Sequence, residues 1–258
     1  MNLLKCILTA NDCYKTGKKI TPKGVMVHST GANNPTVKRY VQPLKTDGDY
    51  TALIRKLGTN SNGNHWNRSG LSVCVHAFIG KLADGTVGTV QTLPWNWRGW
   101  HAGSGKKGSA NDTHISFEIC EDGLTDATYF NKVYREAVEL TAMLCKEYKL
   151  DPLADGVIIC HSEGYKRGIA SNHGDVMHWF PKHGKSMGTF RNDVKAKMGT
   201  AAPKPGVPYT VKATNAAVYS APAVTKISGV YTITEEKDGY GKLKSGVGWV
   251  KLDEVKKL

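Results

Sequence analysis

The fold of this chain is decided by an apolar run with a histidine near its end, Gly24-Val25-Met26-Val27-His28-Ser29-Thr30. A short, continuous apolar run is typical of a β-strand that is buried on both faces of a sheet. A second run of this kind spans residues 156–161 and ends in His161. The two runs predict two buried strands that each present an imidazole near the strand end.

A third candidate ligand follows on polar, turn-forming sequence at residues 171–175, which include His173 and Asp175. Two imidazoles at strand ends and one more nitrogen or oxygen ligand can form an open tetrahedral zinc site, whose fourth position is left to water. Zinc lowers the pKa of such a water to about 7 and polarises a carbonyl, as amide hydrolysis requires. The chain has nine histidines and no compact metal-binding spacing, so a structural role for each histidine stays open.

Length and charge limit the possible functions. The chain has 258 residues and a formal net charge of +13. This length predicts one large domain and a small one. The positive charge favours an anionic partner, which can be nucleic acid, a membrane surface or an acidic cell-wall polymer. The Lys and Arg residues are scattered rather than clustered, which argues against a nucleic-acid-binding protein.

The apolar segments are too short for a signal peptide or a membrane span, which bears on the compartment where the protein is made. The first residues contain too short an apolar stretch for a signal peptide, and no run approaches the length of a membrane span. We therefore expect synthesis in a cytoplasm without a signal peptide, and no stable membrane insertion. The six cysteines are dispersed and several lie in apolar segments, which predicts free thiols rather than disulfides.

Composition divides the chain near residue 200. Residues 199–208 contain small residues and three prolines, which predicts a linker between domains at 1–198 and 209–258. The last 50 residues alternate in short runs separated by turns, which predicts a small all-β barrel. The sequence of the first domain predicts that strands alternate with helices. The strands are predicted at 25–28, 73–79, 86–92, 115–120 and 157–160. Its helices are predicted at 37–41, 50–57 and 129–148, with a last one capped by Ser186.

Five segments of the first domain follow, in order, the pattern of one family: 25–30, 75–91, 100–103, 111–119 and 159–163. On these segments, residues 20–198 resemble the zinc-dependent N-acetylmuramoyl-L-alanine amidases of the peptidoglycan-recognition type. The resemblance implies an α/β fold with a mixed central sheet flanked by helices. It also implies hydrolysis of the amide that joins N-acetylmuramic acid to the first L-alanine of the stem peptide.

The resemblance places His28 and His161 on zinc and makes Glu118 the catalytic acid–base. The third ligand departs from the family pattern, which has Lys, one residue, and then Asp or Cys, often followed by Pro. Here residues 173–176 read His-Gly-Asp-Val. We assign the third zinc ligand to Asp175 and the catalytic helper to His173, while the opposite assignment, with His173 on the metal, stays open.

Several other residues are candidates for contact with substrate. Trp100 and His101 match the wall of the family's substrate groove, and His76 lies in the segment of its central hairpin. Each has an alternative role in the core, and the alternative for Glu118 is a structural salt bridge. The neighbouring Trp95 and Trp97 have a weaker claim to binding.

The second domain also resembles a known module. Residues 218–222 and Gly248-Trp249-Val250 resemble bacterial Src-homology-3-type wall-binding modules. An amidase joined to such a module without a signal peptide is the layout of a phage or prophage endolysin, which leaves the cell through a membrane pore. The expected partner is bacterial peptidoglycan and the expected state is a monomer. The alternatives are a bacterial autolysin, a catalytically silent peptidoglycan-binding module and a basic nucleic-acid-binding protein.

Overall fold

The structure is a computed structural model of the chain. It describes residues 1–199, 209–220, 223–237, 239–246 and 248–257. The chain divides into two compact units, Met1–Lys197 and Met198–Leu258. Most of the predicted linker, residues 200–208, lies outside the described residues, as do Ala221 and Pro222 of the module pattern.

The first unit is built on a six-stranded sheet. Its strands are β1 (Leu3–Lys5), β2 (Gly24–Ser29), β3 (Ala77–Lys81), β4 (Val87–Gln91), β5 (His114–Ile119) and β6 (Ile158–Cys160). Their spatial order is β1-β4-β3-β5-β2-β6. Strands β3, β5, β2 and β6 run parallel to one another, whereas β4 pairs antiparallel with β3. The sheet is therefore mixed.

Helices accompany this sheet in the same unit. They are α1 (Asp12–Thr16), α2 (Tyr50–Leu57), α3 (Ala127–Glu147), α4 (His161–Arg167) and α5 (Met187–Gly199). Short 3-10 turns occur at Val37–Arg39, Ala110–Asp112 and Phe180–His183. None of the helices within the described ranges is long and apolar enough to cross a membrane.

The apolar run at residues 24–29 forms β2, and all six of its residues are buried. Because β2 lies between β5 and β6, both of its edges are hydrogen-bonded. Its alternate side chains enter cores on the two faces of the sheet, which is why the run is apolar throughout. The 21-residue helix α3 contacts β2, β3 and β4. Its apolar residues recur with helical spacing, and they are buried.

The element predictions differ from the structure in four places. The helix predicted at 37–41 is a three-residue 3-10 turn, Val37–Arg39. The strand predicted from Val73 begins at Ala77, and Cys74 forms only an isolated bridge with Trp100. Strand β1 has three residues and helix α1 five, so neither is long enough to show a period in the sequence. His161, predicted to end a strand, is the first residue of α4.

The second unit is a curled antiparallel sheet. Its strands are β7 (Tyr209–Ser220), β8 (Ala223–Lys237), β9 (Tyr240–Leu243), β10 (Trp249–Lys251) and β11 (Val255–Lys257). The strand order is β10-β9-β8-β7-β11, and β10 also pairs with β7, so the sheet closes on itself. Its core is formed by Val218, Ile233, Leu243 and Val250. The predicted fold class, a mixed α/β sheet flanked by helices and followed by a small all-β unit, is confirmed.

Candidate metal centre and active site

Three adjacent parallel strands bring together the candidate residues on one face of the sheet. His28 on β2 lies in register with Glu118 on β5. On the other side of β2, Val27 pairs with Cys160, and His161 follows at once as the first residue of α4. Side chains at equal register on paired strands project from the same face. The sheet therefore aligns Glu118, His28 and His161 in a row.

Asp175 completes a cluster with the two histidines. Its Oδ2 atom lies 2.8 Å from His28 Nδ1 and 3.2 Å from His161 Nδ1, and the two Nδ1 atoms are 3.3 Å apart. Ligand atoms of a tetrahedral site with zinc–ligand distances of about 2.0–2.1 Å are roughly 3.3 Å apart. Within the described part of the chain, these three residues are the group that could hold a metal ion. Two nitrogens and one oxygen at these separations fit zinc.

The protonation states of the cluster also suit a metal. Burial alone would raise the pKa of Asp175, but hydrogen bonds from His161 and His28 hold that pKa below its usual value. Burial lowers the pKa of His28, and this effect outweighs the opposing hydrogen bond from Asp175. An ionised carboxylate and a neutral imidazole are the forms that bind metals.

The loop that carries Asp175 has an unusual backbone. Val176 is fully buried and has φ +59°, a conformation that a β-branched residue rarely adopts. Its N–H donates to Ser29 Oγ at 3.1 Å, which ties the loop to the end of β2. The family pattern often has proline at this position, and proline cannot reach a positive φ. The backbone turn that positions Asp175 therefore differs from the one that a proline would allow. Strained backbone of this kind is typical of functional sites.

Glu118 is half-buried, but its Oε2 atom is shielded from solvent and has no hydrogen-bond partner within the described residues. Burial raises the pKa of Glu118 well above its usual value, and the carboxylates of Asp175 and Glu121 add to the shift. A salt-bridge partner for this carboxylate is also absent from the described part of the chain, so the structural alternative has no cation. A carboxyl group with a raised pKa beside a metal cluster suits proton transfer.

Residues 18–176 match the family model described as N-acetylmuramoyl-L-alanine amidase. The chain belongs to this family. The match covers His28, Glu118, His161 and Asp175, so every residue of the cluster lies inside the amidase region.

Solved structures resemble this amidase at low sequence identity, and the first of them shares its fold. The Staphylococcus aureus hydrolase AmiA, solved with its ligand, has a TM-score of 0.53 and 16% identity, over 77% of this chain and 83% of AmiA. PlyL has 19% identity and a TM-score of 0.47, over 75% of this chain and 96% of its own. The catalytic domain of XlyA has 21% identity and a TM-score of 0.47, over 75% and 99%. No curated protein matches the sequence significantly.

His173 lies outside the three-residue cluster but next to it. Its ring centroid is 4.6 Å from that of His161, and its Nδ1 atom lies 3.1 Å from Ser171 Oγ. The residue is exposed, in contrast to the two buried histidines of the cluster. His173 is thus placed beside the amidase site, on its exposed side.

The three predicted substrate residues are in different environments. Trp100 is 40% exposed and has the guanidinium of Arg98 over its ring at 5.2 Å. His101 is half-buried and its Nδ1 atom lies 3.0 Å from Nε2 of His28, so it faces a candidate metal ligand.

His76 requires a correction. It is fully buried, with Nε2 2.7 Å from the carbonyl of Trp97 and Nδ1 accepting the backbone N–H of Ser116 at 3.0 Å. Burial lowers its pKa to about 4. Both ring nitrogens are occupied by the protein, so His76 is a neutral core residue rather than part of a substrate groove.

Sequence reasoning missed two residues of the amidase site. Ser171 connects His161 and His173 through its hydroxyl, and Asn111 holds the backbone of the segment that contains His101. Both lie in stretches that the sequence singled out, residues 171–175 and 111–119. Their contacts are with residues distant in sequence, and no local pattern indicates such contacts.

Proposed function

We propose that this chain is a zinc-dependent N-acetylmuramoyl-L-alanine amidase that cleaves the bond between N-acetylmuramic acid and L-alanine in bacterial peptidoglycan. The observation that carries the proposal is the convergence of His28 Nδ1, His161 Nδ1 and Asp175 Oδ2 beside Glu118. His28, His161 and Asp175 would hold the zinc ion. Asp175 rather than His173 is the third ligand, because its carboxylate contacts both histidines.

The chemistry follows from the position of each group. Zinc bound at this cluster would lower the pKa of water to about 7 and polarise the carbonyl of the scissile amide. The positive charge of bound zinc would favour the ionised form of Glu118. Ionised Glu118 accepts a proton from the attacking water and delivers it to the leaving amine, and its shielded Oε2 atom has no hydrogen-bond partner among the described residues. His173 donates a hydrogen bond to the developing oxyanion from the exposed side of the site. Trp100 offers an exposed aromatic face to the sugar or the stem peptide.

The domain arrangement supports an endolysin. We assign residues 1–198 to the amidase domain, 199–208 to a linker and 209–258 to a wall-binding domain similar to Src-homology-3 modules. The second unit has a closed antiparallel sheet with a core of its own, as a tethered binding domain requires. The net charge of +13 suits anionic wall polymers. In this proposal a monomer is made in the host cytoplasm and reaches the wall through a pore formed by another protein.

The reaction is tested by digesting purified peptidoglycan and identifying the products by mass spectrometry. Free stem peptides beside intact glycan strands are expected, and Glu118→Gln is the matched inactive control. Cleaved glycan or cleaved cross-links would place the reaction at another bond. Binding without any product would show a silent recognition module.

A further inference from the structure

A single buried amide fixes the segment that contains His101. Asn111 is fully buried, and its Oδ1 atom accepts the backbone N–H groups of His101 at 2.8 Å and Ala102 at 2.9 Å. Its Nδ2 atom donates to the carbonyl of Gly103 at 3.0 Å. One side chain therefore binds the backbone of three consecutive residues, which fixes the position from which the His101 side chain projects.

The His101 ring contacts His28, the first candidate ligand, at the ring nitrogen that does not face the cluster. His101 Nδ1 lies 3.0 Å from His28 Nε2, while His28 Nδ1 faces the cluster. A histidine that binds a metal through Nδ1 carries its proton on Nε2, and that proton needs an acceptor. The Nδ1 atom of His101 lies within hydrogen-bond distance of that proton, and a neutral imidazole can accept it there.

The second candidate ligand is connected to the same segment. His161 Nε2 lies 3.2 Å from Ser171 Oγ, and Ser171 Oγ lies 3.3 Å from the carbonyl of Ala102. The backbone N–H of Ser171 donates to the same carbonyl at 2.9 Å. The approach is close, because a Cβ atom on Gly103 would lie 2.8 Å from Ser171 Oγ. The outward nitrogens of both histidines thus lead to adjacent residues.

These contacts affect which tautomer His28 and His161 adopt. Asp175 Oδ2 accepts from both Nδ1 atoms and so favours the tautomer with the proton on Nδ1, which cannot bind zinc through that atom. An acceptor at each Nε2 atom favours the opposite tautomer. Because His101 is a neutral imidazole rather than a carboxylate, it orients His28 without adding negative charge near the cluster.

We infer that His101 and Ser171, held in place through Asn111, are positioning residues that set His28 and His161 in the tautomers whose Nδ1 atoms bind the metal. This inference rests on the proposed zinc site. It replaces the substrate contact that the sequence predicted for His101. Partners of this kind typically change metal affinity by about 10- to 100-fold when they are removed.

The test measures zinc affinity by competition with a chromophoric chelator, using the full-length protein. His101→Leu removes the acceptor and should weaken zinc binding by roughly 10- to 100-fold. His101→Asn can place Oδ1 near the former Nδ1 position and should retain most of the affinity. His65→Leu, which removes an imidazole from a part of the amidase region that has no role in the site, is the matched control and should bind zinc as the wild type does. Ser171→Ala should weaken binding and Ser171→Thr, which keeps a hydroxyl, should weaken it less.

A spectroscopic measurement separates orientation from folding. The visible absorption of the cobalt(II)-substituted protein should change for His101→Leu and stay close to the wild type for His101→Asn. Equal losses for the Leu and Asn variants would show that the ring acts by packing, and unchanged affinity in His101→Leu would overturn the inference while leaving the zinc site intact. If the wild type itself binds no zinc, the proposed function fails and the inference fails with it.

Discussion

Replacing Glu118 by glutamine should lower the turnover number but raise the stability of the metal-free protein. The substitution keeps the shape of the side chain but removes its ability to take a proton. Glu118 lies in register with His28, and its Oε2 atom has no hydrogen-bond partner among the described residues, so it is well placed for proton transfer. We expect kcat to fall by roughly 10²- to 10⁴-fold, the usual contribution of a positioned acid–base. Zinc content should not change.

The same substitution should stabilise the metal-free protein as the pH rises. The folded-state pKa of Glu118 is raised, chiefly by burial, so above its ordinary value of 4.5 the unfolded chain releases a proton that the folded chain keeps. Wild-type stability therefore falls with rising pH in that window, whereas the glutamine side chain of the variant does not titrate. The difference should grow by at most about 1.4 kcal/mol per pH unit, and the partial exposure of the residue reduces it.

The measurement is a urea titration of both metal-free proteins at several pH values between about 4 and about 8, followed by tryptophan fluorescence. Below the ordinary pKa of glutamate the two free energies of unfolding should agree. Above it the free energy of unfolding of the variant should exceed that of the wild type. Parallel curves would refute the argument that Glu118 is held as a buried acid. Near-normal turnover would return Glu118 to a structural role.

Further predictions concern the metal and the domains. Elemental analysis should find about one zinc per chain; chelation should abolish wall lysis and added zinc restore it, and a fully active metal-free preparation would contradict the site. Asp175→Ala should lose zinc, whereas His173→Ala should keep zinc and lose turnover; the reverse result would put His173 on the metal. A protein truncated after Lys197 should still hydrolyse soluble muropeptides but bind whole walls more weakly, because tethering supplies effective concentration. Failure of residues 209–258 to sediment with host walls would argue against their binding role.

The strands of the site could be predicted because their signals are local. The apolar run that ends near His28 became a fully buried central strand, and the helical period after residue 128 became α3. The start of β3 could not be placed, because residues 73–76 are as apolar as the strand itself but pair with the Trp100 segment at a single bridge. The role predicted for His76 was wrong for a different reason. Nothing in the sequence reveals that both of its ring nitrogens are hydrogen-bonded within the protein.

Contacts between distant residues account for the rest of the difference. His101 and His28 are 73 positions apart, and the hydrogen bond between their rings depends on a segment whose backbone is held by Asn111. The turn at Val176 likewise depends on a hydroxyl from the end of β2. Periodicity and composition contain no information on either contact.

The placement of β2 between β5 and β6 also sets when the cluster of candidate ligands can form during synthesis. During synthesis, His28 emerges early, but its neighbours Glu118 and His161 follow on strands that pair with it over long separations. Asp175 emerges last of the four. Every ribosome-bound chain that ends before residue 175 lacks part of the cluster, and parallel pairing over such separations is intrinsically slow. The cluster therefore cannot be complete until nearly the whole amidase region has been made.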